Sequence, residues 1–117
     1  MLTRKQLEHF RALLLQERAA IEARTANRVE RIRATVPEAD EPVDEADQGT
    51  MARERDQLMI EEDLDRDTLE RIDRAQARMD EGTYGTSEVS GRPIPIERLE
   101  AVPWATTLAD ERDPETI

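Results

Sequence analysis

The chain contains no cysteine, a single histidine, and one residue each of phenylalanine, tryptophan and tyrosine. Without cysteine, disulfides, thiolate zinc sites and cysteine nucleophiles are excluded. His9 stands alone, so a multi-histidine metal site is excluded, and its expected role is solvated or capping. Aromatics at 3% argue against a thick core, and 117 residues is the usual size of one domain. No run of about 18 apolar residues offers a membrane span. The opening MLTRKQLEHF is charged and amphipathic where a secretory signal needs an apolar stretch. A cytoplasmic protein without membrane contact is expected.

Charge dominates what remains. Charged residues make up 38% of the chain, against roughly 25% in an average soluble protein. Acids outnumber bases by 28 to 17, for a net charge of −11. Repulsion from phosphates follows over most of the surface, so direct DNA binding is not expected. Nor does any nucleophile stand beside a base and oxyanion donors in a recognisable spacing, so the protein is not expected to be an enzyme.

Thr3 precedes Gln6 and an apolar repeat, a capping-box arrangement that predicts a helix from about residue 4. Leu7, Leu14 and Ile21 recur every seven residues, with Phe10, Val29 and Ile32 beside them. So narrow a stripe suits one partner helix, and Pro37 sets the limit of this one. The segment VPEADEPVDEADQ follows, a turn at 36–48 with two prolines and the acids Glu38, Asp40, Glu41, Asp44, Glu45 and Asp47. From Gly49 to Glu81 there is no proline, and Met51, Leu58, Ile72 and Met79 share a heptad column broken only by Asp65, broadened by Leu64, Leu69 and Ala75. Two helices of about 30 residues, at 1.5 Å per residue, predict a rod of about 45 Å. The short connection makes them antiparallel. Residues 1–35 carry +4, the turn −6 and residues 49–81 carry −5, so the two arms attract each other. Exposed ion pairs give only about 0.2–1 kcal/mol each, so charge selects the partner more than it stabilises the pair.

Gly82 stands where a left-handed residue ends a helix. Beyond it, glycines and prolines punctuate short elements. Pro95 opens a brief helix through Ile96, Leu99 and Ala101, and Leu108 sits in a last helix from about Trp104 to Arg112. Val89, Ile94, Ile96, Leu99, Val102, Trp104 and Leu108 are the expected cluster closing the open end of the hairpin, with Tyr84 and Trp104 as packing residues. The division expected is a hairpin at 1–81 and a globular region at 82–117.

The segment from Tyr84 to Pro103, YGTSEVSGRPIPIERLEAVP, resembles the zinc-finger region of the DksA/TraR family of bacterial transcription regulators. Family members carry YGxCxxCGxxIPxxRLEAxP followed by a second CxxC, and the four cysteines hold one zinc ion. Here those positions fall on Ser87, Ser90, Leu108 and Glu111, which is no zinc set: leucine offers no donor and serine binds zinc weakly. The resemblance implies an all-α fold: a long antiparallel coiled-coil hairpin, a small zinc-free finger-like end and a short C-terminal helix. Packing and serine hydrogen bonds are expected to replace the metal, with Leu108 joining the apolar cluster. No cofactor is expected.

The resemblance also implies a function. In this family the hairpin enters the secondary channel of bacterial RNA polymerase and carries a tip motif DxxDxA, which falls here on Asp44, Asp47 and, in place of alanine, Gly49. Such a chain is a monomeric, zinc-independent regulator of initiation acting through Asp44 and Asp47. Members often respond to ppGpp in the stringent response through basic residues, for which this chain offers Arg71, Arg98 and Arg112 at the polymerase interface. Arg98 could equally pair with Glu97 or Glu100. Two other classes stand beside this reading: a Gre-like transcript-cleavage factor using tip carboxylates to hold a metal ion, and a coiled-coil adaptor that does not bind polymerase.

Overall fold

A computed structural model describes residues 2–36 and 44–111. Three helices form: α1 (Arg4–Ala34), α2 (Glu45–Glu81) and α3 (Ile96–Ala101). The capping box is in place, with the Thr3 N–H donating to Gln6 Oε1 at 2.8 Å and the Gln6 N–H to Thr3 Oγ1 at 3.1 Å. α2 ends at Gly82, whose φ of 80° sits in the left-handed region, and the Thr83 N–H closes back on the Arg78 carbonyl at 2.9 Å. The start of α2 differs from the expectation: it begins at Glu45, ahead of Gly49. Asp44 lies just outside, its carbonyl taking the Gln48 N–H, and Glu45 and Asp47 place negative charge on the first turn, where the helix dipole favours it.

The chain forms two compact units: Met1–Arg18 with Thr68–Ile117, and Ala19–Asp67. Both long helices contribute to both units, and in each they run antiparallel. In the first unit Arg11 meets Asp80 and Arg18 meets Asp73; in the second Arg24 meets Asp65, Arg28 meets Glu62 and Arg31 meets Glu54. Partner numbers fall along α2 as they rise along α1. Leu14, Ile21, Leu58 and Ile72 are fully buried at heptad positions, each contributing about 1.5–3 kcal/mol. Leu64 and Val29 do not widen the stripe: they are 64% and 41% exposed, because a two-helix seam covers only a narrow arc of each helix. Among the described residues no helix is long and apolar enough to cross a membrane.

In the first unit, Phe10, Leu14, Ile72 and Ala75 of the long helices are buried, and so are Tyr84, Ile94, Leu99 and Ala105 from the segment after α2. The Tyr84 ring lies 6.1 Å from that of Phe10, and its hydroxyl donates to the buried Pro103 carbonyl at 2.7 Å. Gly85 has φ 89°, which L side chains rarely adopt, and a Cβ there would stand 2.8 Å from the end of the Leu2 side chain, so any other residue would be strained. Glu88 fastens the loop to α2: it pairs with Arg74, and with Arg78 at 2.9 Å. Two expectations fail in this unit. Val89 and Ile96 are exposed, while Ala105 is buried as well as the expected Tyr84. No last helix forms among residues 102–111, which run through turns. The Thr106 and Thr107 carbonyls there accept from the Glu88 N–H and from Arg98 Nε, both at 2.8 Å, in place of helical partners.

Candidate functional site

The acidic segment reaches the described structure at its α2 side. Asp44 is exposed at the N-terminal boundary of α2 and Asp47 is exposed on its first turn, one helical turn away. Since α2 begins directly after Asp44, both carboxylates stand exposed to solvent at the start of the helix. Gly49 is helical and exposed, and a Cβ there would meet nothing within 4 Å. The neighbouring end of α1 is closed from α2: the Thr35 hydroxyl donates to the Ile32 carbonyl at 2.6 Å, while Arg55 donates to the Thr35 carbonyl and hydroxyl at 3.2 and 3.3 Å. A cation there suits the negative end of the helix dipole. Glu38, Asp40 and Glu41 lie outside the described residues.

A second constellation sits in the other unit. Ser87, 4% exposed, donates from Oγ to Glu111 Oε1 at 2.6 Å and accepts the N–H groups of Val89 and Ser90 at 3.1 and 3.2 Å. Glu111 Oε1 also takes the Leu108 N–H at 2.8 Å, and Arg92 lies 3.8 Å from Oε2. The bonds from Ser87 and from the Leu108 amide, with smaller help from Ser90 and Arg92, hold the Glu111 carboxyl below its usual range against the opposing effect of desolvation.

No family model matches the chain. General stress protein 16O of Bacillus subtilis is 37% identical over 106 residues, covering 89% of this chain and 64% of that protein. The chain thus spans less than two thirds of that relative's length. The RNA polymerase-binding transcription factor DksA of Caulobacter vibrioides is 30% identical over 109 residues, covering 93% of this chain and 75% of that protein. The chain belongs to the DksA family. The solved structure of transcription factor DksA2 from Pseudomonas aeruginosa agrees, with a TM-score of 0.77 at 30% identity over 90% of this chain and 78% of that one.

Within the DksA family, the four positions that resemble the zinc ligands remain gathered here. They do not fit a zinc ion: the Ser87 hydroxyl is committed to Glu111 and two amides, Leu108 contributes only its backbone N–H, and one carboxylate remains. The carboxylate of Glu111 is the shared acceptor that draws Ser87 and the Leu108 backbone together. Leu108 is only half-buried, so the substitute is polar more than apolar. Of the basic residues expected at a polymerase or ppGpp contact, Arg71 is half-buried on α2, Arg98 on α3 donates to the Thr107 carbonyl, and Arg112 lies outside the described residues. His9 Nε2 lies 2.7 Å from Glu100 of α3.

Sequence reasoning missed the buried polar layer of the second unit. Arg28, 5% exposed, contacts Glu62 at 2.6 Å and Asp65 at 2.5 Å, and Arg24 donates to the same Asp65 at 3.0 Å. The two arginines hold Asp65 below the usual carboxylate range, Arg24 first, while desolvation opposes them. The signal was present: Arg28 continues the Leu7, Leu14, Ile21 column by seven residues, as Asp65 interrupts the column on α2.

Proposed function

We propose that this protein regulates transcription by binding bacterial RNA polymerase through the secondary channel, with Asp44 and Asp47 as the acting residues at the polymerase active centre. The carrying observation is the pair of exposed carboxylates one turn apart at the start of α2, on a chain that belongs to the DksA family. A carboxylate pair carried at the start of a helix has a backbone with little freedom, suited to meeting a metal ion or a mobile loop of a partner without performing chemistry itself. The protein acts as a monomeric regulator in the cytoplasm and not as a catalyst. Its negative charge leaves promoter choice to the polymerase. Arg71, Arg98 and Arg112 are the proposed polymerase or ppGpp contacts, Arg98 having its Nε committed to Thr107. Activity is independent of zinc, supported by the Ser87–Glu111 cluster, whose bonds need neither metal nor thiol.

Run-off transcription from a stringently controlled promoter tests this, comparing wild type with the Asp44→Asn, Asp47→Asn double variant, with and without a strong chelator and peroxide. The expected result is an effect on initiation that the variant loses while still binding polymerase, unchanged by chelator or oxidant. A wild-type protein that neither binds polymerase nor alters initiation would overturn the proposal.

A further inference from the structure

We propose that Arg28, Arg24 and Asp65 form a register lock between α1 and α2 that positions the tip carboxylates Asp44 and Asp47; the positioning half rests on the function proposed above. All of these residues belong to the unit Ala19–Asp67.

Leu14, Ile21 and Arg28 on α1, and Thr35 just beyond its end, follow one another at seven-residue intervals and all are buried. On α2 the corresponding column is Leu58, Asp65 and Ile72. An unbroken apolar column accepts a shift of one heptad with little penalty, because one branched aliphatic side chain replaces another. This pair cannot. A heptad slip sets Arg28 against Thr68, Leu69 and Ile72 in one direction, and in the other against Leu58, with Arg55 in the place of Glu62 and Glu54 in that of the more distant Glu61; either way the guanidinium loses both of its close carboxylates inside the seam, which is costly.

In the observed register the fit is two-sided. Arg24 and Arg28, one turn apart, approach the two oxygens of Asp65 at 3.0 and 2.5 Å, and the second arm of Arg28 reaches Glu62 at 2.6 Å. Glu61 completes the surroundings at 3.8 Å. The planar guanidinium can span two carboxylates only when both sit at the proper height along α2. Nearer the acidic segment, Arg55 repeats the device by bonding the Thr35 carbonyl at 3.2 Å. Sliding α1 against α2 by one heptad would displace the end of α1 from the start of α2 by about 10 Å, at 1.5 Å per residue. The lock therefore sets where Asp44 and Asp47 are presented.

An apolar layer separates this role from simple stability. The Arg28→Leu, Asp65→Leu double variant exchanges a buried ion pair for matched aliphatics, which often leaves a protein as stable or more so. Arg24, half-exposed, can turn to water. The chain has no cysteine, so Ala26→Cys and Asp56→Cys, both exposed positions, accept a spin-label pair without background. Pulsed electron resonance should give one narrow distance in the wild-type background. In the apolar variant the distribution should broaden or split while the thermal midpoint stays level or rises, and the effect on transcription should be lost although both tip aspartates are intact. Arg28→Lys, which keeps the charge but loses the two-armed fork, should broaden it partially. A narrow, unshifted distance in both variants overturns the lock. Broadening with full transcriptional effect overturns the positioning role. If Asp44→Asn, Asp47→Asn leaves transcription unchanged in the same assay, the functional reading falls, and the distance distribution alone decides the lock.

Discussion

Ser87→Ala removes the residue on which the second constellation depends. Its Oγ donates to Glu111 at 2.6 Å and accepts from the amides of Val89 and Ser90 at 3.1 and 3.2 Å. Loss of a side-chain acceptor serving such turn amides costs about 0.5–2 kcal/mol. Ser87 is only 4% exposed, so water cannot readily replace it, and about 1.5 kcal/mol is expected. For a chain of this size that lowers the thermal midpoint by about 6 °C. The pH dependence identifies the partner. The Glu111 carboxyl is held below its ordinary 4.5 chiefly by Ser87. A group lowered in this way stabilises the fold above its ordinary pKa, and the contribution disappears as pH falls through the lowered folded value. Urea unfolding should therefore show the full gap between wild type and variant at pH 7, and a narrower one as pH falls below 4.5 and through the lowered value of Glu111. A gap below about 0.5 kcal/mol at pH 7, or one of equal size at both pH values, would refute the assignment of Glu111 as the shared acceptor.

Three other substitutions probe the rest of the chain. Gly49→Ala fills open space in a helical position and should raise stability by about 0.5–1 kcal/mol, read as a shift in urea midpoint; a loss would mean that the first turns of α2 are not helical in solution. Tyr84→Phe strips the hydroxyl from the buried Pro103 carbonyl and should cost about 1–2 kcal/mol, with no change in midpoint as the contrary result. Replacing Ser87, Ser90, Leu108 and Glu111 together by cysteine should create a four-thiolate site that takes up Co²⁺ with the intense charge-transfer absorption of tetrahedral sulfur ligation. A spectrum of octahedral aqueous Co²⁺ would show that the four backbone positions do not converge.

Local signals carried most of the fold. The Thr3 and Gln6 cap, the glycine at position 82, the heptad leucines and isoleucines and the helix opened by Pro95 each act within a few residues, so their physics is complete in the sequence. Where distant groups compete, the reading failed. Residues 104–111 have a helical look, yet Thr106 and Thr107 give their carbonyls to Glu88 and Arg98. Val89 and Ile96 are apolar, yet they stay exposed while Tyr84 and Ala105 are buried. Asp44, Asp47 and Gly49 were singled out through a motif, and all three are exposed at the start of α2. Arg28 was overlooked because a charged residue at a core position reads as an end to the pattern until its partner on α2 is known. Glu111 was given no role because Leu108 suggested apolar filling of the site, whereas a carboxylate can gather the neighbouring donors by hydrogen bonds.

The crossed pairing of α1 and α2 also orders events in time. Thr35 and Arg55 are separated by only 20 residues, Arg28 and Glu62 by 34, Arg24 and Asp65 by 41, and Arg18 and Gln76 by 58. Closing each wider loop after its inner neighbour requires little additional chain entropy, whereas closing it first means paying for the whole loop at once. Folding should accordingly start at the end of α1 and zip outward. Substitutions at Thr35 and Arg55 should give the highest φ-values and those at Arg18 the lowest; the reverse order would place the nucleus at Phe10 and Tyr84. On the ribosome, α1 then waits with its seam unmade until Arg55 emerges, and the first pairing to form, Thr35 with Arg55, is the one nearest in the chain to the acidic segment.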